Sequence, residues 1–187
     1  MICFFFSGLF ASSIGAQTIT TIAGDGAQGF SGDGSSATSA SFNNPIDLAL
    51  DSNGNLYIAD KGNGRVRKID ASGTISTVAS GLPYVNSVAI DPVGIGGQPA
   101  NTLYMFNDNQ QLRLESGSVT QPYNLGWGYF VFDHTGDRYV TDRYRIYKAS
   151  SGSPGSFTQF AGSNGNSFSG DNGPATSASL ATHGHLL

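Results

Sequence analysis

The chain has 187 residues, a formal net charge of −4, and only 12% of its residues are charged. This length suffices for one globular domain, and the negative charge disfavours nucleic acid as a partner, because such binding needs clustered cations. Gly numbers 26, Ser, Thr, Val, Ile and aromatic residues are common, and no stretch has a long helical apolar period. Since β-branched and aromatic side chains pack well on pleated surfaces, the composition predicts many short strands and almost no helix.

The first sixteen residues, MICFFFSGLFASSIGA, contain no charged side chain and a dense apolar run that ends in small residues. This pattern predicts a secretory signal peptide over residues 1-16, with a buried N-terminal strand as the alternative. The run is shorter than the roughly 20 apolar residues that span a bilayer, so we expect no membrane insertion of the mature chain. Cys3, the only cysteine, lies in this segment. The mature chain is therefore expected to lack disulfides and to be secreted, periplasmic or at the cell surface.

Residues 46-79 contain four short apolar or alternating runs, IDLALD, LYIAD, RVRKI and TISTVA. Turn-forming strings such as SNGN and DASG separate these runs. Asn-Gly and Ser-Gly pairs between such runs are typical of β-hairpins, so the segment is predicted to be an antiparallel meander of four strands.

The four-strand unit recurs at about 85-121 and 127-160. The aspartates that end the first strand of each unit are 40 and 42 residues apart: Asp51, Asp91 and Asp133. Because four-stranded repeats of about 40–50 residues are typical of propeller blades, we predict an all-β fold, a β-propeller with three complete blades. ITTIA near the N-terminus and HGHLL at residues 183-187 are expected to add one extra strand at each end, the second beginning a fourth blade.

A glycine-rich loop occurs twice, as AGDGAQGFSGDGSSATSASF at residues 23-42 and as AGSNGNSFSGDNGPATSASL at residues 161-180, with eleven of twenty positions identical. In a propeller, each copy is expected to cross from the outermost strand of one blade to the innermost strand of the next. ATSAS is expected to form one helical turn, with Pro174 at its first position in the second copy. Phe30 and Phe168 are expected to tuck under their loops as anchors.

The strings ITTIAGDGAQGFSGDG, GNLYIAD and GNGRVRKI resemble NHL-repeat β-propellers, which occur in secreted bacterial proteins and in the teneurin ectodomain. The resemblance covers essentially all of residues 17-187, is strongest in the first blade, and departs from the pattern at VGIGGQPAN and GWGYFVF. Propellers close with roughly 4–8 blades. A chain with three blades is therefore expected either to be a fragment of a longer protein or to assemble with other copies into a ring. The open edges of its terminal blades are expected to favour self-association.

Two sets of residues are candidate metal ligands. Propeller lactonases and amidating lyases hold a divalent metal in the central channel, and the resemblance implies four candidates there. These are Asn44, Asn86, His183 and His185. Carboxylates in the glycine-rich loops are candidates for calcium, because they supply oxygen ligands: Asp25, Asp33 and Asp171. Ser163 replaces Asp25 in the second copy, which argues against calcium, so we expect no cofactor, with calcium or another divalent metal as the alternative.

Charged residues recur at matching places in the repeat. The aspartates that end strands are expected to accept backbone hydrogen bonds in turns: Asp51, Asp60, Asp91, Asp133 and Asp142. The third strands carry cations: Arg65, Arg67, Lys68, Arg143, Arg145 and Lys148. Because aspartates lie beside these cations, we expect a solvated strand face with local ion pairs rather than an RNA-binding surface.

These observations support two functional hypotheses. The first is a non-catalytic exported scaffold that binds a protein or glycan ligand, and it rests on the fold, which hosts many activities. The alternative is a metal-dependent lyase or lactonase-like enzyme with its site in the channel. The sequence shows no nucleophile elbow and no phosphate-binding loop that would favour an enzyme of another class.

Overall fold

The computed structural model describes residues 19–94, 99–107, 110–115, 118–123, 129–141, 144–152, 156–163 and 169–180. These residues form three sheets of four strands each. The first sheet contains β1 (Pro45–Leu50), β2 (Leu56–Asp60), β3 (Arg65–Ile69) and β4 (Ile75–Ser80). The second contains β5 (Val85–Asp91), β6 (Thr102–Asn107), β7 (Gln110–Glu115) and β8 (Ser118–Tyr123). The third contains β9 (Phe130–Phe132), β10 (Arg138–Thr141), β11 (Arg145–Ala149) and β12 (Thr158–Gly162).

Each sheet is an antiparallel meander in which the strands follow chain order. The first strands of the three sheets, β1, β5 and β9, are neighbours in space. Sheets that share a central row of first strands are the blades of a propeller. The predicted all-β propeller fold is confirmed, and the three sheets span residues 45–80, 85–123 and 130–162.

The blades share irregularities as well as strands. The pairing of the first strand with the second is interrupted at Ile46 in β1 and at Asn86 in β5, which is the same place in the two sheets. The pairing of the third strand with the fourth is also irregular in every blade. A bulge changes the direction of nearby side chains and the register of the strand pair. Bulges at matching places therefore indicate that the sheets are copies of one repeated unit.

Apolar side chains fill the space between neighbouring blades. Tyr57 and Val66 of the first blade pack in one cluster with Met105 of the second. Tyr104 faces the third blade, and its ring centroid lies 5.2 Å from that of Phe132 in a tilted arrangement. Stability in such a repeat array comes largely from these contacts between neighbouring units.

The first glycine-rich loop covers the other face of the first blade. Ala37 and Ala40 are buried there in a cluster with Ile75. The loop backbone also pairs with the beginning of β4, because Gly34 N donates to Ile75 O (2.8 Å) and Ile75 N donates to Ser35 O (3.0 Å). The first blade is therefore packed between this loop and the second blade.

The two loops have the expected places in the chain path. The first leads into β1, and the second leaves β12, where the Gln159 side chain donates to Thr176 O at 3.1 Å. The predicted helical turns are present as Ala37–Ser39 and Ala175–Ser177. Pro174 precedes its turn instead of starting it, because its ψ of 130° is extended.

The extra strand expected at residues 19–23 is not formed among the described residues: this segment pairs with none of the three sheets. A strand needs a neighbouring edge for its backbone hydrogen bonds, and Ile19 and Ile22 instead remain 88% and 65% exposed. The predicted signal peptide at 1-16 and the strand at 183-187 lie outside the described residues. In the described part of the chain, no helix is both long enough and apolar enough to cross a membrane.

Candidate functional site

Arg67 fastens the first loop to the first blade. Successive residues of β3 point to opposite faces, so Val66 enters the cluster between blades while Arg67 points toward the loop. Its guanidinium donates to Ser31 O at 2.8 Å and to Asp33 Oδ1 at 2.9 Å. The Arg67 side chain is completely buried, so the expectation of a solvated strand face is wrong for this cation.

A second carboxylate completes the surroundings of Arg67. Asp60 is also fully buried, and its Oδ2 lies 3.8 Å from Arg67 Nη1. Asp60 accepts hydrogen bonds from Asn43 N at 2.8 Å and from Asn63 Nδ2 at 2.7 Å. These contacts tie the end of the loop to the end of β2, so Asp60 acts in a buried ion-pair network in addition to its expected place at a strand end.

Phe30 was predicted to tuck under the loop as an anchor, and this prediction is wrong. Phe30 remains 43% exposed, and the Arg65 guanidinium lies over its ring at 3.9 Å from the centroid. The aromatic residue that packs inward is Phe42, which joins the apolar cluster under the loop and lies 5.3 Å from the Arg67 guanidinium. A cation fixed beside the ring favours this arrangement electrostatically. Phe168 lies outside the described residues.

The aspartates at the first-strand ends cap turns, as predicted. Asp51 Oδ1 accepts from Asn53 N at 2.9 Å and from Asn55 N at 2.8 Å, and Asp51 Oδ2 accepts from the Tyr57 hydroxyl at 3.3 Å. Burial raises the pKa of Asp51, but the hydrogen bonds from Asn55 and Asn53 outweigh it, so the pKa lies below its ordinary value. Burial and the Asp51 charge raise the pKa of Tyr57 to about 12.

The third blade repeats this arrangement. Asp133 Oδ1 accepts from Thr135 N at 2.9 Å and from Asp137 N at 3.0 Å. Donation from the Thr135 hydroxyl is the main reason that the pKa of Asp133 is lowered. In the second blade, Asp91 Oδ1 accepts from Val93 N at 3.0 Å. Asp142 lies outside the described residues.

One cation of the third blade forms the local ion pair that the sequence predicted. Lys148 Nζ lies 2.7 Å from Asp137 Oδ2, and neither side chain is fully buried. The hydrogen bond to Asp137 raises the pKa of Lys148 and lowers that of Asp137.

A cleft of about 710 Å³ lies where the two ends of the first loop meet. Asp25 and Gln28 enter it from the beginning of the loop, and Phe42, Asn43 and Asn44 enter it from the end. Its volume falls in the range of small-ligand sites. The loop brings these residues together although the sequence separates them, because Asp25 N donates to Ala40 O and Gly29 N donates to Phe42 O.

The polar groups of the cleft are oriented by hydrogen bonds. Asp25 Oδ1 accepts from Ala27 N at 2.8 Å, and Asp25 Oδ2 accepts from Ser41 Oγ at 2.9 Å. These two bonds lower the pKa of Asp25, the first of them most, so the carboxylate stays ionised at neutral pH. Gln28 Nε2 donates to Asn43 Oδ1 at 2.9 Å.

A second, smaller cavity of about 230 Å³ lies on the channel face formed by β1, β5 and β9. Leu48 and Leu50 are 57% and 67% exposed. Asp47 joins the two neighbouring first strands, because its carboxylate accepts from Leu48 N and from Val88 N, both at 2.8 Å. The Asp47 carboxylate therefore has a structural role.

The two described candidates for channel ligands have different places in the repeat. Asn44 precedes β1 with a φ of 52°, which Asn tolerates better than most residues, and it lines the loop cleft. Asn86 lies within β5 at the place that Ile46 has in β1, so the two asparagines are not equivalent in the repeat. His183 and His185 lie outside the described residues.

The loop aspartates also have separate surroundings. Asp25 lines the cleft and Asp33 pairs with Arg67, whereas Asp171 is exposed in the second loop. Within the ranges that the structure describes, no three His, Cys, Asp or Glu residues are grouped so that they could hold a metal ion. The metal and calcium candidates remain predictions.

The sheets and their shared central strands define a β-propeller. The NHL repeat family matches residues 42–69, which span β1 to β3 of the first blade. The first blade of this propeller therefore contains an NHL repeat. No curated protein matches the sequence of this chain.

Two solved structures with TM-scores above 0.5 share the fold of this chain. An auxiliary nutrient binding protein from Bacteroides ovatus is 14% identical with a TM-score of 0.55, and the match covers 74% of this chain and 36% of that one. A gluconolactonase-like protein is 15% identical with a TM-score of 0.53, covering 78% and 52%. A streptogramin B lyase is 16% identical with a TM-score of 0.47, covering 62% and 40%. The chain thus matches about half or less of the length of each.

Proposed function

We propose that this chain is part of an exported, non-catalytic β-propeller that binds a protein or glycan through the loops at the ends of its blades. The observation that supports a non-catalytic role is the use of its carboxylates. Among the described aspartates, all but Asp171 accept hydrogen bonds or pair with a cation inside the fold. Catalytic acids and bases need a proton that exchanges near the working pH. The hydrogen bonds instead lower the pKa of Asp25, Asp51 and Asp133 and keep them as fixed acceptors.

Hydrogen bonds hold the first loop on the first blade, which supports a role for this loop in ligand binding. Arg67 fixes its middle and Asp60 fixes its end. A loop that is already ordered loses little conformational entropy when it binds a ligand. Propellers commonly present such loops on a rigid scaffold.

A second candidate function is a metal-dependent lyase or lactonase in the channel. The observation that favours this enzyme is the cavity lined by β1, β5 and β9. Metal ligands on the first strands of further blades would face the same cavity. His183 and His185 are the residues of this chain that the enzyme would use. The similar structures include both enzymes and a binding protein, so the fold is compatible with either function.

Turnover and binding assays on the purified chain separate the two candidates. The chain is incubated with gluconolactone and with a streptogramin B antibiotic, in the presence of Mg²⁺, Ca²⁺ or Zn²⁺ or of a chelator. In parallel, its binding to an array of immobilised glycans is measured. Glycan binding without loss of either substrate supports the scaffold. Metal-dependent turnover that His183→Ala or His185→Ala abolishes would contradict it.

A further inference from the structure

We propose that the cleft between the two ends of the first loop is a binding site for a neutral saccharide. This inference rests on the proposed binding function and specifies its ligand. The residues that line the cleft combine an ionised carboxylate, three side-chain amides and an aromatic ring.

Each of these groups matches one feature of a saccharide. The Asp25 carboxylate can accept further hydrogen bonds from hydroxyl groups, since two oxygens offer about four lone-pair sites. Gln28, Asn43 and Asn44 supply amides that both donate and accept. Phe42 is half-buried, and its part that lines the cleft supplies an apolar surface for the C–H face of a sugar ring. A Cβ at position 24 would lie in contact with this ring, 3.7 Å from Phe42 Cδ2, so Gly24 leaves that edge of the ring open.

The charges of the cleft favour an uncharged ligand. Among the described residues, no Lys, Arg or His lines it, and Asp25 is the one charged side chain. An anionic ligand would therefore meet a carboxylate with no cation to offset the repulsion. The single carboxylate, already bonded on both oxygens to Ala27 N and Ser41 Oγ, is also a poor basis for calcium, which takes six to eight oxygen ligands.

The second loop provides an internal comparison. Several residues that shape the loop are identical in both copies, including Gly32 and Gly170, whose Cβ positions would meet Ala40 and Ala178 at 2.7 Å. Of the residues that line the cleft, Ala23 and Gly24 recur as Ala161 and Gly162, whereas the side chains assigned to saccharide binding differ between the copies. Asp25, Gln28, Phe42, Asn43 and Asn44 correspond to Ser163, Asn166, Leu180, Ala181 and Thr182. The framework is therefore compatible with both sets, and the saccharide-binding groups belong to the first copy.

This comparison gives a variant with a matched framework. Asp25→Ser, Gln28→Asn and Phe42→Leu together place the residues of the second copy in the first loop. A second variant, Asn44→Gly, removes one amide and suits the φ of 52°. Leu50→Ser on the exposed channel face is the control. Circular dichroism and thermal unfolding establish that each variant is folded.

The probes are soluble malto-, cello-, xylo- and galacto-oligosaccharides, with a sulfated oligosaccharide and CaCl₂ as charged probes, each titrated by ligand-observed NMR and calorimetry. We expect at least one neutral oligosaccharide to bind in roughly the millimolar range, and the triple variant to weaken it about tenfold or more. Asn44→Gly is expected to weaken the same probe by about threefold, and Leu50→Ser to leave it unchanged.

Three results would overturn the inference: no binding of any neutral probe up to about 10 mM, binding that the triple variant and Asn44→Gly both leave intact, or binding only of the sulfated probe or calcium. Degradation of a bound probe would instead contradict the non-catalytic function. The results that contradict saccharide binding in the cleft therefore differ from the result that contradicts the non-catalytic function.

Discussion

The guanidinium of Arg67 donates to the carboxylate of Asp33 at 2.9 Å and so joins the third strand of the first blade to the middle of the loop that covers it. The two residues are 34 positions apart in the chain. The loop end that carries Phe42 and Asn43 lies beside the same guanidinium and its partner Asp60. The candidate binding cleft therefore depends on this buried network.

Replacing Arg67 should destabilise the fold strongly. Arg67→Met leaves the buried Asp60 carboxylate without its cation, which is expected to lower the free energy of unfolding by about 3–5 kcal/mol. Arg65→Met is the matched control on the same strand, because Arg65 lies over the exposed ring of Phe30, and it should cost about 1 kcal/mol or less. Urea denaturation measures both, and equal losses would contradict the role assigned to Arg67.

The two loops offer a matched pair of aspartates. Asp33→Asn weakens the bond to Arg67 and is expected to cost about 1–2 kcal/mol, since Asp33 is partly exposed. Asp171→Asn in the second loop should change stability by less than about 0.5 kcal/mol, as is usual for a surface site. Thermal unfolding of the two variants tests the difference. The prediction fails where Asp171→Asn costs as much as Asp33→Asn.

Alanine substitutions at two glycines of the first loop are expected to destabilise the fold by different amounts, because only one of these glycines lies close to another part of the loop backbone. Gly32 and Gly34 both have positive φ, 92° and 80°, so alanine is strained at either position. A Cβ at Gly32 would also lie 2.7 Å from Ala40 Cα, whereas one at Gly34 meets nothing within 4 Å. Gly32→Ala should therefore destabilise by about 2 kcal/mol more than Gly34→Ala. Chemical denaturation of both variants, compared with the parent chain, measures the difference.

Acid should remove the contribution of the turn aspartates. The fold lowers the pKa of Asp51 and of Asp133, so each contributes stability above the unfolded value of about 3.9 and loses it as the pH falls through the folded value. Asp51→Asn is expected to cost about 1–2 kcal/mol at neutral pH. Its difference from the parent chain should shrink below about pH 4. Urea denaturation across this range checks the sign, and a difference that grows in acid would contradict it.

Regular features of the sequence predicted most of the fold. The spacing of Asp51, Asp91 and Asp133 predicted the blades, because each of these residues closes the same turn. The burial of Arg67 was missed, since a cation in an alternating strand usually faces solvent and the loop that covers it comes from far earlier in the chain.

The cleft could not be predicted from the sequence for a related reason. Its residues come from the two ends of a long loop, and their approach depends on backbone bonds such as Gly29 N to Phe42 O. The sequence predicted Asn44 as a channel ligand because it stands before a first strand. In the structure, Asn44 lines the loop cleft together with Asp25 and Gln28.

Backbone NMR of the isotopically labelled chain, titrated with the best neutral oligosaccharide from the probe set, tests the central claim most directly. The account predicts chemical-shift changes concentrated at Gly24 to Gln28 and at Phe42 to Pro45, with the oligosaccharide recovered unchanged. Shift changes concentrated on the channel face at Leu48, Leu50 and Val131, with conversion of the oligosaccharide, would contradict it.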